Sequence, residues 1–174
     1  MKKILFLILI SSILFSCGIK KAKTKNDLSA PLVYRNGLYY ADSTSSIPFT
    51  GRNKSKMLDQ VIEYDVINGV REGDFIVYYP NKNVQIIGKL SNNKNVGEWK
   101  YYNSNGTIES VGNFLDDKPS GTWIWYYPNG KVAEEGKFTD GKRDGDWKSY
   151  DSLGALKILR KYKMDKMIDS TSVK

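Results

Sequence analysis

Gly73, Gly97, Gly121 and Gly145 recur at intervals of 24 residues, and whole columns of residues keep step with them. Two residues after each glycine stands Phe75, Trp99, Trp123 or Trp147, and five after it Tyr78, Tyr102, Tyr126 or Tyr150. Later in the period come Val84, Ile108, Val132 and Leu156, then Gly88, Gly112 and Gly136 with Arg160 as the exception, then Leu90, Phe114, Phe138 and Tyr162. A fixed period of this length marks a stacked repeat, in which each unit buries its apolar face on its neighbours. A degenerate earlier copy, Tyr64-Asp65-Val66-Ile67-Asn68-Gly69, matches residues 136–141, so the array begins near Gly51.

Each period holds two turn signals, which divide it into two strands. Asn105-Gly106 and Asn129-Gly130, the latter after Pro128, read as two-residue hairpin turns, because Asn and Gly tolerate positive φ. Asn68-Gly69, Asn92-Asn93, Asp116-Asp117 and Asp140-Gly141 read as the turns between hairpins. A two-residue loop at Asn129-Gly130 pairs Tyr127 with Val132, Trp125 with Glu134, Trp123 with Gly136 and Gly121 with Phe138 on one face. The other face then takes Tyr126 with Ala133, Ile124 with Glu135 and Thr122 with Lys137. One face is thus Trp, Phe, Val and Gly, with space over each glycine for the ring opposite it, and the other is Tyr, Lys and Glu. The expected fold is all-β, an open single-layer antiparallel meander. Lys157, Lys161 and Lys163 read as a lysine-blunted edge on its last strand.

The run Gly121-Thr122-Trp123-Ile124-Trp125-Tyr126-Tyr127-Pro128-Asn129-Gly130, followed by Gly-x-Phe and an Asp-Gly turn, resembles the bacterial variant of the MORN repeat. Pro48-Phe49-Thr50-Gly51 resembles the entry into a first copy. The likeness covers residues 48 to 162, with departures in the last copy at Asp151, Leu153 and Arg160. It implies a sheet built hairpin by hairpin, membrane attachment, lipid contact or scaffolding, and, from the way relatives are labelled, an antitoxin-like component. It supplies no catalytic residues.

The N-terminus reads as an address. Lys2 and Lys3 precede an apolar core, Ile4 to Ile10 and Ile13 to Phe15, which is the order of a secretory signal and is too short to span a bilayer. Leu14-Phe15-Ser16-Cys17-Gly18 resembles a bacterial lipobox, with Phe15 where a small residue is usual, and it makes Cys17 the acylated first residue of a mature lipoprotein. The division that follows is a signal peptide over 1–16, a tether and cap over 17–47, the repeat domain over 48–164 and a basic tail over 165–174. The segment from Leu28 to Ile47 is placed to fold over the sheet. Lys20, Lys21, Lys23 and Lys25 after the anchor suit a solvated tether or contact with anionic headgroups.

Charge and composition narrow the function. The whole chain carries a formal charge of +8, but residues 73–156 hold 10 basic and 11 acidic side chains, so the folded body offers no cationic face to nucleic acid. The chain has no histidine and 1 cysteine, which removes the common nucleophile triads, His- or Cys-based zinc sites and internal disulfides. The doublets Asp116-Asp117 and Glu134-Glu135 are the only carboxylate clusters suited to acid and base roles; one lies at a turn and the other spans both faces, so neither converges.

The expectation is a non-catalytic envelope lipoprotein without metal or cofactor. It binds or scaffolds a macromolecule, with a protein first and an envelope glycan or lipid headgroup beside it. The alternative is an immunity protein that neutralises a toxic partner. Phe75, Trp99, Trp123, Trp147, Phe114 and Phe138 read as repeat core. Tyr101 and Trp125, in a column that varies through Val77 and Ser149, and the row Tyr78, Tyr102, Tyr126 and Tyr150 are the candidate partner-binding residues.

Overall fold

A computed structural model describes residues 28–173, all strand and turn among the described residues. The signal segment, Cys17 and the tether lysines lie outside them. A short hairpin of β1 (Val33–Arg35) and β2 (Leu38–Tyr40) precedes one open sheet of 11 strands, each antiparallel to its sequence neighbours. The sheet runs through β3 (Gly51–Met57), β4 (Gln60–Ile67), β5 (Val70–Tyr78), β6 (Val84–Ser91), β7 (Lys94–Tyr102) and β8 (Ile108–Leu115). It continues through β9 (Lys118–Tyr126), β10 (Val132–Thr139), β11 (Lys142–Tyr150), β12 (Leu156–Lys163) and β13 (Lys166–Ser172). The meander expected from the period is the fold observed.

The turns divide the labour differently from the expectation. Five two-residue turns of the large sheet, Asn68-Gly69, Asn92-Asn93, Asp116-Asp117, Asp140-Gly141 and Met164-Asp165, have both central residues at positive φ, between 49° and 81°. Asn129 is not in that region. The Gly130 N–H closes on the Tyr127 carbonyl at 2.8 Å and the Tyr127 N–H on the Lys131 carbonyl at 2.8 Å, which makes Pro128-Asn129-Gly130 a three-residue loop. Proline presets the first loop position and Gly130, at φ 81°, supplies the left-handed third. Tyr126, not Tyr127, therefore stands opposite Val132, and Ala133 falls in a bulge. The inner pairs keep the expected register: Trp125 with Glu134, Ile124 with Glu135, Trp123 with Gly136, Thr122 with Lys137 and Gly121 with Phe138.

Successive copies are tied through their tight turns. The N–H groups of Asn93, Asp117, Gly141 and Asp165 donate to the carbonyls of Arg71, Asn95, Pro119 and Arg143, at 2.9 to 3.1 Å. In three of the four the side chain completes the link: the N–H of Arg71, Asn95 and Arg143 donates to Oδ1 of Asn93, Asp117 and Asp165, each at 2.8 Å. The remaining pair is Pro119, which has no N–H, and Gly141, which has no side chain. Donor and acceptor are missing together, so no polar group is orphaned.

Packing on the first face follows one rule. A Cβ built on Gly88, Gly112 or Gly136 would lie 2.2, 2.0 or 2.1 Å from the indole of Trp99, Trp123 or Trp147. The ring lies over the glycine of the preceding strand, 11 residues earlier, rather than over the residue it faces inside its own hairpin, which is Gly112, Gly136 or Arg160. Each copy thereby covers the one before it. The Nε1–H of Trp123 and of Trp147 reaches across to donate to the carbonyls of Asn113 and Lys137, at 3.1 and 3.2 Å. Phe114 and Phe138 meet the following indoles edge to face, at 5.2 and 5.1 Å between centroids. Trp147 is wholly out of water although no second layer covers it among the described residues. Its shield is Phe138, Trp125, Tyr162 and the Arg143 guanidinium, 4.4 Å above the ring.

The ends of the array obey the same rule. Tyr64 occupies the glycine position of the degenerate copy, and the ring beyond it is the smaller Phe75, 6.4 Å away and stacked. Arg160 takes a glycine position because the strand beyond it brings no indole: Ser170 stands opposite and Thr171 lies at the 11-residue step.

One expectation about the ends is corrected. Lys157, Lys161 and Lys163 lie on β12, and β12 is not an edge, because β13 pairs with it where the charge pattern reads as a basic tail. The segment before Ile47 meets the sheet at its N-terminal end, where the Tyr39 ring lies 6.1 Å from Tyr64, the first ring of the aromatic row. Its β1–β2 hairpin sits on the Asn68-Gly69 turn: the Tyr39 N–H donates to the Gly69 carbonyl at 2.8 Å, and Leu38 packs so close that a Cβ on Gly69 would lie 2.9 Å from it.

Gly112→Ala should therefore lower stability by on the order of 1–3 kcal/mol through overpacking, and Trp123→Ala by about 3–5 kcal/mol through the cavity it leaves. Urea unfolding of both single variants and the double should show the double costing clearly less than the sum, since the clash needs the ring.

Candidate partner-binding face

The structure separates the candidate residues onto opposite faces. Phe75, Trp99, Trp123, Trp147, Phe114 and Phe138 form the continuous aromatic row just described. Tyr101 and Trp125 join it: Tyr101 lies 6.2 Å from Trp123, and Trp125 lies 5.7 Å from both Trp123 and Trp147. Val77 in the same column is buried, and Ser149 is bound between Glu134 and Arg160, at 3.2 and 2.9 Å. The variation that marks this column is fitted to local packing on the first face.

Tyr78, Tyr102, Tyr126 and Tyr150 stand on the second face, near the loop ends of β5, β7, β9 and β11, half-buried and one to each copy. The outer two are engaged. Tyr150 Oη donates to Glu135 Oε1 at 2.8 Å, and Lys148 Nζ reaches the same oxygen at 3.3 Å. Burial first, then the carboxylate beside it, pushes the Tyr150 hydroxyl up, so it stays a donor. Tyr78 lies under Lys54 Nζ, 5.7 Å from its centroid, and burial followed by the nearby Glu63 raises it likewise. The hydroxyls of Tyr102 and Tyr126 have no side-chain or backbone partner among the described residues.

Beside this row runs a strip that the sequence reading of the face as Tyr, Lys and Glu passes over. Ile76 pairs with Ile87, Ile87 with Lys100, Lys100 with Val111 and Val111 with Ile124, so four aliphatic side chains and one lysine cross five adjacent strands in line. Ile87 is 37% exposed, and Ile76, Val111 and Ile124 are half-buried. The strip's signal in the sequence is the residue after Phe75, Trp99 and Trp123 together with the residue before Gly88 and Gly112, legible once the register is known.

A second feature closes the N-terminal end of the face. Glu63 is held by Lys54 Nζ at 2.6 Å and Arg52 at 3.2 Å, and Arg52 also pairs with Asp65 at 3.0 Å. Burial alone would raise the Glu63 carboxyl, but Lys54 and Arg52 together outweigh it and hold it below the usual carboxylate range. Next to this cluster lies an open groove of about 730 Å³, with Leu28, Lys54, Lys56, Tyr78, Tyr79 and Lys82 among its walls. Of the carboxylate doublets, Asp116 and Asp117 occupy a tight turn where Asp117 caps the Asn95 N–H, and Glu134 and Glu135 bind partners on opposite faces.

An open antiparallel meander of equal hairpins, each laying its ring on its predecessor, is the architecture of a repeat-based binding or scaffold module. Residues 71–92, 95–116 and 119–140 match the family model described as MORN repeat variant, so the chain carries three consecutive copies of that repeat. The matches follow the structure: each begins at the second residue of a nine-residue strand and runs through its loop and an eight-residue strand to the first residue of the next tight turn. The hairpin β11–β12 repeats the geometry beyond the matched residues. No curated protein matches the chain.

Glu63→Gln should destabilise the protein at neutral pH. Because the folded carboxyl titrates lower than the unfolded one, its contribution is present above the ordinary glutamate value and is lost as pH falls through the folded value. The difference in thermal midpoint between wild type and variant should therefore shrink steadily as the scan is moved from pH 7 into the acid range.

Proposed function

We propose that this chain is a non-catalytic envelope lipoprotein that holds a macromolecular partner on the second face of its repeat sheet. The observation that carries the reading is the asymmetry of the two faces. The first is consumed by its own packing, with Trp99, Trp123 and Trp147 almost entirely out of water. The second presents half-buried tyrosines and an aliphatic strip in which Ile87 is exposed to solvent, the usual make-up of a surface that is covered by a partner.

The membrane attachment rests on the sequence: the charged and apolar start, followed by the single cysteine at position 17. Acylation there at about 0.8 kcal/mol per buried CH₂ gives durable anchoring once two or three chains are attached. The place proposed is the bacterial cell envelope. Attachment would hold the sheet near a bilayer surface, within reach of other envelope components.

Cys17→Ser should move the protein out of the membrane fraction in fractionated cells; a variant that stays there without acylation contradicts the anchor. Crosslinking in cells from a photoreactive residue at Ile87 should recover a partner, and one placed at Met167, which stands opposite Tyr162 of the first face on the last strand, should recover less of it. Equal recovery from both positions contradicts the assignment of the face. Recovery of a toxic protein that the chain neutralises would replace scaffolding with the immunity reading.

A further inference from the structure

We infer that Tyr102 and Tyr126 form a binding site for an uncharged, extended β-1,4-linked glycan, lying across the strands of the second face. The inference rests on the reading of that face as the partner face and names the chemical class of the partner.

The first argument is spacing. Tyr102 ends β7 and Tyr126 ends β9, with β8 between them, at equivalent positions of adjacent copies. Neighbouring strands lie about 4.8 Å apart, so the two rings step by roughly 9.6 Å. In an extended β-1,4-linked chain alternate sugars turn over, and the same ring face returns after each disaccharide, a length close to this step. Sugars two apart can therefore set the same face on the two tyrosines. A polypeptide strand has no such match to this step across a sheet, because its own side-chain repeat is about 6.6 Å for alternate residues.

The second argument is chemistry. A sugar presents C–H groups on its ring faces and hydroxyls around its rim. The tyrosines offer the complementary pair, a flat ring and a hydroxyl that both donates and accepts. Val111 and Ile124 lie inboard as apolar floor, and Lys100 stands beside them as a donor, held by Glu98 at 2.8 Å. The near balance of charge over residues 73–156 suits a neutral polymer over a polyanion.

Twist limits the site to two rings. Adjacent strands rotate by about 20–25°, so a straight glycan lying along Tyr102 and Tyr126 diverges from the outer members of the row. Those outer members are the ones already engaged: Tyr150 by Glu135, and Tyr78 beside Lys54 and Glu63. The free hydroxyls and the usable spacing coincide on one pair.

The test is calorimetric titration of the full chain in detergent micelles with cellohexaose and with chitohexaose. Wild type should bind at least one of them. The Tyr102→Ala/Tyr126→Ala variant should bind at least 10-fold more weakly, while Tyr102→Phe/Tyr126→Phe, which keeps the rings, should lose no more than a few fold. Thermal midpoints within a few degrees of wild type separate lost binding from lost folding, and the Phe pair carries the test if the Ala pair does not fold. No heat with either hexasaccharide, or equal affinity in the Ala pair, overturns the glycan assignment. Crosslinking from Ile87 that recovers a protein and is not competed by the hexasaccharides would also overturn it while leaving the partner face in place. Loss of position dependence in that crosslinking would instead remove the partner face itself.

Discussion

Everything in this fold depends on an indole lying flat on a glycine of the strand before it. A single-layer sheet has no second layer to hide its rings, so the rings must be hidden by the sheet's own backbone and by one another. Glycine makes that possible at the cost of local stiffness, since it removes the one atom that would hold the ring off the strand. The cost is offset by burial of a large aromatic surface and, for Trp123 and Trp147, by the bond the indole N–H donates to a carbonyl of the preceding strand. The same contact sets direction: each copy packs back onto its predecessor, so stability accumulates along the chain through nearest-neighbour terms.

This rule explains why departures from the repeat occur where they do. Tyr64 and Arg160 replace glycine only where the following ring is reduced or missing, and Pro119 appears only opposite Gly141. The tight turns follow similar logic. Asn, Asp and Gly fill most of the paired left-handed positions, and Met164 is a costly member, kept in place by the tie between Asp165 and Arg143.

Much of this was legible before any coordinates. The period fixes strand number and neighbour order, and the inner register from Gly121 to Trp125 follows from counting outward from the loop. The loop type did not follow, because Asn-Gly suits both a two-residue turn and the end of a three-residue one, and Pro128 decides between them only once it is placed in the turn. Which glycine lies beneath which ring was also out of reach: a strand has two neighbours, and the sequence pairs Trp123 with Gly136 as readily as with Gly112. β13 was missed because its Trp and Gly columns hold Thr171 and Asp169, leaving charge as the visible feature. The tyrosine row was visible as a column, but that its inner two hydroxyls are free and its outer two engaged depends on Glu135 and Glu63, which lie on other strands.

The division of faces links this architecture to a role in binding. A sheet that hides one face in its own construction leaves the other to the solvent or to a partner, and repetition presents the same groups at regular steps on it. The central claim remains that the copies are equivalent units joined by ring-on-glycine contacts. Excision of one full period, residues 95–118, tests it most directly, because Trp123 then falls over Gly88 in place of Trp99. Denaturant unfolding of the shortened chain should show a cooperative, folded β protein with a smaller m-value and lower stability than wild type. A shortened chain that is unfolded, or one as stable as the parent, would contradict the account.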